Sequence, residues 1–254
     1  VTDIYEWTPL LSGVVGSHAY GLATPTSDVD RLMFAAAPTS DFFGLHPIVG
    51  ARASRVSNNP DVTVHEIGKA VSLLLKCNPT VTELLYLDEW DDGMHDLGKI
   101  LIARREGFLS APFVRDAYLG YATAQFRKLQ HEREADDEIE NRRHREKNAR
   151  HLKRLLDQGV QLYTTAQLTV RVTDPEAMFD FGRRAAADPT IAEPYLHKAE
   201  ETIRTAHSPL GDRPNEDFAQ GFLEEVRAHF FVRELQDLNT YPYYAMKYTI
   251  TEKE

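Results

Sequence analysis

Cysteine is nearly absent. Cys77 is the only one in 254 residues, so an intrachain disulfide and a cysteine-rich zinc site are both excluded. Long apolar runs are missing as well. The longest, Leu32 to Ala37, falls far short of the ~18 residues that a membrane-spanning helix requires. The opening stretch, Val1 to Trp7, is acidic and has neither a basic start nor an apolar core, which predicts no signal peptide. With so little cysteine, a cytoplasmic protein is expected. Positive charge is in deficit, with 29 Lys and Arg against 39 Asp and Glu, a net charge of -10. That balance excludes a uniformly basic, nonspecific nucleic-acid binder. No G-x-x-x-x-G-K-[ST], G-x-G-x-x-G or H-E-x-x-H pattern occurs, which removes P-loop, Rossmann and zinc-protease readings. Internal repeats and low-complexity segments are absent too.

What remains is an ordinary globular composition, 42% hydrophobic and 27% charged, which rules out whole-chain disorder. The length fits one large domain or two small ones. Strands are predicted at Leu10 to Val15, Val29 to Ala36 and Val62 to Val64. Ile67, Ala70, Val71, Leu74 and Leu75 recur at helical spacing, and Asn78-Pro79 ends that helix. Val81 to Leu87 reads as a short helix or turn. Beyond Pro112 the texture becomes helical: Phe113 to Gln130, Arg142 to Gln158, Pro175 to Ala187, Ile191 to Thr205 and Asn215 to Leu238. Residues 131–141 read as a charged loop or mobile helix end. The class expected is α+β, with residues 1–110 as a mixed core and 111–254 as a helical C-terminal domain.

Gly16-Ser17 follows the first strand. Asp28-Val29-Asp30 opens the next. Alternation along a strand puts Asp28 and Asp30 on one face. Two close carboxylates repel, which raises one pKa. A divalent cation removes the conflict, and magnesium takes one or two carboxylates plus substrate phosphates. Glycine lets backbone N–H groups approach a phosphate, and the Ser17 hydroxyl adds a donor.

This Gly-Ser, spacer, Asp-x-Asp pattern resembles the DNA polymerase β-like nucleotidyltransferase superfamily. Four segments, GSHAYGLATPTSDVDRLMF from Gly16, HEIGKAVSLLLKCNPTVTELLY from His65, YLGYATAQFRKLQ from Tyr118 and KNARHLKRLLDQGVQLYTTAQL from Lys147, are together similar to the predicted nucleotidyltransferase family associated with RNA ligases in bacteria and phages. The resemblance covers roughly residues 8–175 and implies a polymerase β-like core. It also implies an NTP substrate (ATP among the candidates) and two magnesium ions, with manganese as a substitute. An acceptor hydroxyl, favoured as an RNA or tRNA end, would attack the α-phosphate and release pyrophosphate. Gly16 and Ser17 would hold the β- and γ-phosphates, and Asp28 and Asp30 the metals. The superfamily adds a third carboxylate from a neighbouring strand. Asp61, opening an alternating Val62-Thr63-Val64, is preferred, with Glu66 as its substitute.

Other residues carry two readings each. His18 either touches a phosphate or shapes the loop. Tyr20 and Ser27 read as structural, and alternation points Arg31 away from the aspartates. Lys76, Asn78, Pro79, Thr80 and Glu83 form a polar knot read as structural. The basic run from Arg142 to Arg154 is a solvated face unless Lys147, His151 and Arg154 line the substrate cleft, joined by Gln125 and Lys128. Nucleotidylation of a protein or small molecule is the alternative chemistry. A noncatalytic nucleotide- or RNA-binding module and an interaction protein such as an antitoxin are the alternatives to an enzyme.

Overall fold

A computed structural model of the protein describes residues 7–43, 45–131 and 139–238. It is an α+β fold. A four-stranded mixed sheet in the order β1-β2-β4-β3 is followed by a mostly helical C-terminal region. Among the described residues, no helix is long and apolar enough to cross a membrane.

The strands are β1 (Thr8–Val14), β2 (Arg31–Ala36), β3 (Ser54–Asn58) and β4 (Asp61–Glu66). β2 sits between antiparallel β1 and parallel β4. Its central place explains its unbroken apolar run, since both faces are covered. Leu32, Phe34 and Ala36 join the large core, while Met33 and Ala35 pack with Trp7, Val62 and Val64 on the opposite face. β4 alternates: Val62, Val64 and Glu66 are buried, and Asp61, Thr63 and His65 are half-buried. β3 is a polar edge strand. It has no apolar alternation for sequence reasoning to find, and it pairs antiparallel with β4.

Helix α1 (Gly16–Ala19) is a single turn after β1. Helix α2 (Ile67–Leu74) buries Ile67, Ala70, Val71 and Leu74, the stripe expected from their spacing. Asn78 caps α3 (Pro79–Glu83), with Pro79 at its first position, so this pair begins a helix as well as ending one. Sequence periodicity misses α4 (Asp96–Ala103), which lays Gly98 close against the backbone of Leu10.

The two longest helices are α5 (Ala111–His131) and α6 (Ile139–Thr165). Tyr118 meets Gly159, and Lys128 lies near His151, so the pair runs antiparallel. The expected loop at 131–141 falls largely on residues 132–138, outside the described residues, and α6 has begun by Ile139. Helices α7 (Pro175–Ala187) and α8 (Glu193–Thr205) pack on α6. Helix α9 (Glu216–Leu238) returns to the sheet, where Arg227 pairs with Glu66 at 2.7 Å. One buried cluster runs from Leu10 in β1 through Leu155 in α6 to Phe230 in α9, so the helical region and the sheet share a core.

Candidate active site

β1 ends in a turn only glycine tolerates easily. Gly16 has φ +67°, and a Cβ there would overlap the Asp30 carboxylate. Val15 N–H donates to Asp30 C=O at 2.9 Å. The phosphate-loop candidate is therefore pinned directly against Asp30. Leu22 N–H donates to Ser17 C=O at 2.8 Å, which folds the loop back on itself.

The strand β2 begins at Arg31, just after Asp30 and three residues after Asp28. Asp28 and Asp30 thus lie on the approach to the strand and not within it, contrary to the expectation from alternation. The register supplies what alternation did not. Arg31 pairs with Val62 in parallel β4, so one step earlier Asp30 comes alongside Asp61. The Asp30 carboxyl is pushed above its usual range. Burial is the largest cause, then the neighbouring carboxylate of Asp61. Lys147 partly offsets this, and Asp28 adds a smaller repulsion. The sequence places the principal conflict between Asp28 and Asp30, whereas the fold places it between Asp30 and Asp61.

Glu66 goes elsewhere. It is 2% exposed and lies on the opposite face of β4 from Asp61. Its Oε2 accepts from Gly68 N–H at 2.7 Å, capping α2, and its Oε1 pairs with Arg227. Arg31 faces away from Asp30 and pairs with Asp91, which Ser12 Oγ also donates to at 2.8 Å.

A cleft of about 420 Å³ opens beside the loop. Gly16, Ser17, Asp28 and Asp30 form one wall, and Lys147, His151 and Arg154 of α6 form the other. The fold therefore brings the basic helix to the aspartates. Arg150, not singled out by spacing, lines it too. Burial drives the His151 pKa down to about 3, helped by the positive charges of Arg154, Lys128 and Lys147. His151 thus faces the cleft as a neutral imidazole. Lys128 of α5 is close enough to act on His151, while Gln125 is not among the lining residues. His18 does not line the cleft. Its Nε2 lies 3.4 Å from Ser27 C=O, tying the loop to the 24–27 turn. Ser27 Oγ accepts from Thr24 N–H at 2.9 Å and shapes that turn.

Arg154 is not a free cation. It is 4% exposed, paired with Glu83, and donates to Gln158 Oε1 at 2.6 Å. Its guanidinium also sits 3.8 Å from the centre of the Tyr20 ring, and Tyr20 Oη donates to Glu83 Oε2 at 2.6 Å. This network, anchored behind the phosphate loop, was missed by local reasoning because Glu83 and Arg154 are 71 residues apart. The signal was Glu83 itself, an acid embedded in the apolar stretch Val81 to Leu85.

The donor set beside the loop is hard carboxylate oxygen, with a mutual repulsion that a divalent cation would relieve. Magnesium binds one or two protein carboxylates and completes its shell with water and phosphate oxygens, and Asp30 with Asp61 fits that demand. Among the described residues, no group of three or more His, Cys, Asp and Glu side chains forms a ready-made metal cage. Asp28 is accordingly a neighbour of the pair and not part of a closed cluster.

A family model described as the RNA repair pathway DNA polymerase beta family matches residues 5–192. The match spans both walls of the cleft. The comparison with curated proteins found no match.

Proposed function

The chain belongs to the RNA repair pathway DNA polymerase beta family, and from that premise we propose that it transfers a nucleoside monophosphate from an NTP to a hydroxyl at an RNA end. The observation that carries this reading is that Asp30, which Asp61 approaches from β4, lines one cleft with Gly16, Ser17 and Lys147, while Asp61 itself is not among the lining residues.

In the proposed reaction, the acceptor oxygen forms a bond to the α-phosphorus, its proton passes to water, and the bond to the departing pyrophosphate breaks. Magnesium held by Asp30 and Asp61, with Asp28 alongside, would neutralise charge on the phosphates. Gly16 and Ser17 offer backbone N–H groups and a hydroxyl to the β- and γ-phosphates. Lys147 supplies a full positive charge on the opposite wall. Neutral His151 contributes a hydrogen-bonding ring without another charge. Arg154 acts through Tyr20, holding the loop in place. Catalysis of this kind rests on positioning and electrostatics, with no covalent enzyme intermediate.

The test is transfer of α-³²P from each of the four NTPs, with magnesium, to total RNA, to the protein itself and to a small-molecule extract. Label on RNA supports the reading. Label on protein or small molecules alone moves the acceptor to those classes. NTP binding without transfer to any of them overturns the enzymatic reading.

A further inference from the structure

A second cleft, of about 490 Å³, lies on the other side of Arg154, and α6 walls both. We infer that this second cleft binds the single-stranded end of the RNA acceptor, an inference that rests on the nucleotidyltransferase reading above.

The two clefts are mechanically joined. The segment Thr169 to Asp174 lines the second, and Val172 N–H donates to Tyr20 C=O at 3.0 Å. The acceptor cleft is thereby fastened to the phosphate loop. Arg171 crosses the junction. Its side chain lies over Gly21, where φ is +70° and a Cβ would come within 2.9 Å of Nη1. The second cleft therefore borders the phosphate loop that flanks Asp30.

The chemistry of the lining selects the ligand. Tyr195 is 40% exposed, and its ring is braced edge-on by Phe181 at 5.0 Å. Lys153 Nζ lies 5.2 Å from the Tyr195 ring centre. A partly exposed aromatic ring in a cleft that also holds Arg171 suits a nucleotide, since the base stacks and the phosphate meets positive charge. The anions in the cleft are already engaged. Asp157 pairs with Lys153 at 2.5 Å, and Asp174 Oδ1 accepts from Ala177 N–H at 2.9 Å to cap α7. Arg171 has no ion-pair partner among the described residues, so its charge is available for a phosphate. The triphosphate elements are in the first cleft, and Arg154 of α6 lines both it and the second. Stacking on Tyr195 needs an exposed base face, which a single strand offers and a duplex interior does not.

The experiment uses the full chain and a 5′-fluorescein ten-nucleotide single-stranded RNA, read by anisotropy. NTP affinity is measured in parallel with a fluorescent ATP analogue. Tyr195→Ala should weaken RNA binding about tenfold or more, and Tyr195→Phe should restore it. Arg171→Ala should weaken binding and lower the salt slope by about 0.7, one phosphate contact. NTP affinity should stay within twofold for both Tyr195 variants, whose side chain does not touch the phosphate loop. RNA affinity within twofold of wild type in both Tyr195→Ala and Arg171→Ala would overturn the inference, as would tighter binding of the matching duplex. If label still reaches RNA in that case, the transferase reading survives the loss of this cleft. If instead RNA binding depends on Tyr195 but wild type labels no acceptor, the cleft stands and the transferase reading falls.

Discussion

Glu83 and Arg154 form an ion pair whose side chains are 1% and 5% exposed. Burying both charges is costly, and the pair holds because Tyr20 and Gln158 satisfy much of the remaining hydrogen-bonding capacity. Its position is informative. It joins α3 to α6 directly behind the loop that is proposed to hold phosphate.

Removing one partner leaves the other charge buried and unpaired. Glu83→Ala should therefore destabilise the protein by about 3–5 kcal/mol. Replacing both, as Glu83→Leu with Arg154→Met, should recover much of that loss. Urea unfolding of the two variants checks this. Equal losses in both would show that packing, not charge, dominates there.

Tyr20→Phe removes only the hydroxyl that donates to Glu83. The ring remains under Arg154. We expect a stability loss of about 1–2 kcal/mol and a weaker grip on the triphosphate, seen as a raised KM for NTP. A change in kcat alone would contradict a loop-holding role.

His151 has its pKa pushed down to about 3 against an ordinary 6.5. Between those values the unfolded chain binds a proton that the folded protein refuses. Stability from this group is therefore full above about 6.5 and is lost as pH falls towards 3, at up to about 1.4 kcal/mol per pH unit. Its ring proton resonances should not move between about pH 5 and 8. A midpoint near neutrality would show that the ring is solvated.

Asp30 shows the opposite sign. Its carboxyl is raised, so its contribution to stability is complete below the ordinary carboxylate value and is lost as pH rises through the raised one. Asp61→Asn removes the largest charge acting on it. At neutral pH without divalent cation, that variant should melt on the order of 1–2 °C higher than wild type. A lower midpoint would mean that Asp61 stabilises the unliganded fold.

Much of this architecture was legible in the sequence. The stripe Ile67, Ala70, Val71 and Leu74 announced α2, and Pro175 to Ala187 was bounded correctly because Asp174 and Pro175 are strong helix-start residues. Edge strand β3 was not legible, because an edge needs no apolar alternation. Helix α4 was hidden by its polar surroundings between Trp90 and Arg105. At the site, the Gly16-Ser17 and Asp28-Asp30 elements were visible as a local motif. The approach of Asp61 to Asp30 depends on parallel register, and the approach of Lys147 and His151 depends on how α6 packs. Neither is encoded in local spacing. In the sequence, Arg154 stands as either a solvated cation or a cleft residue, and only the fold shows its engagement by Glu83.

The most direct test of the account compares α-³²P transfer to single-stranded RNA by wild type, Asp30→Asn, Asp61→Asn and Glu66→Gln, each shown by circular dichroism to be folded. The account predicts loss of at least a hundredfold in rate for Asp30→Asn and Asp61→Asn. It predicts near-wild-type transfer for Glu66→Gln, whose cost should be about 1–3 kcal/mol of stability from the weakened cap and ion pair. Transfer that survives in Asp61→Asn and disappears in Glu66→Gln would contradict the site built here.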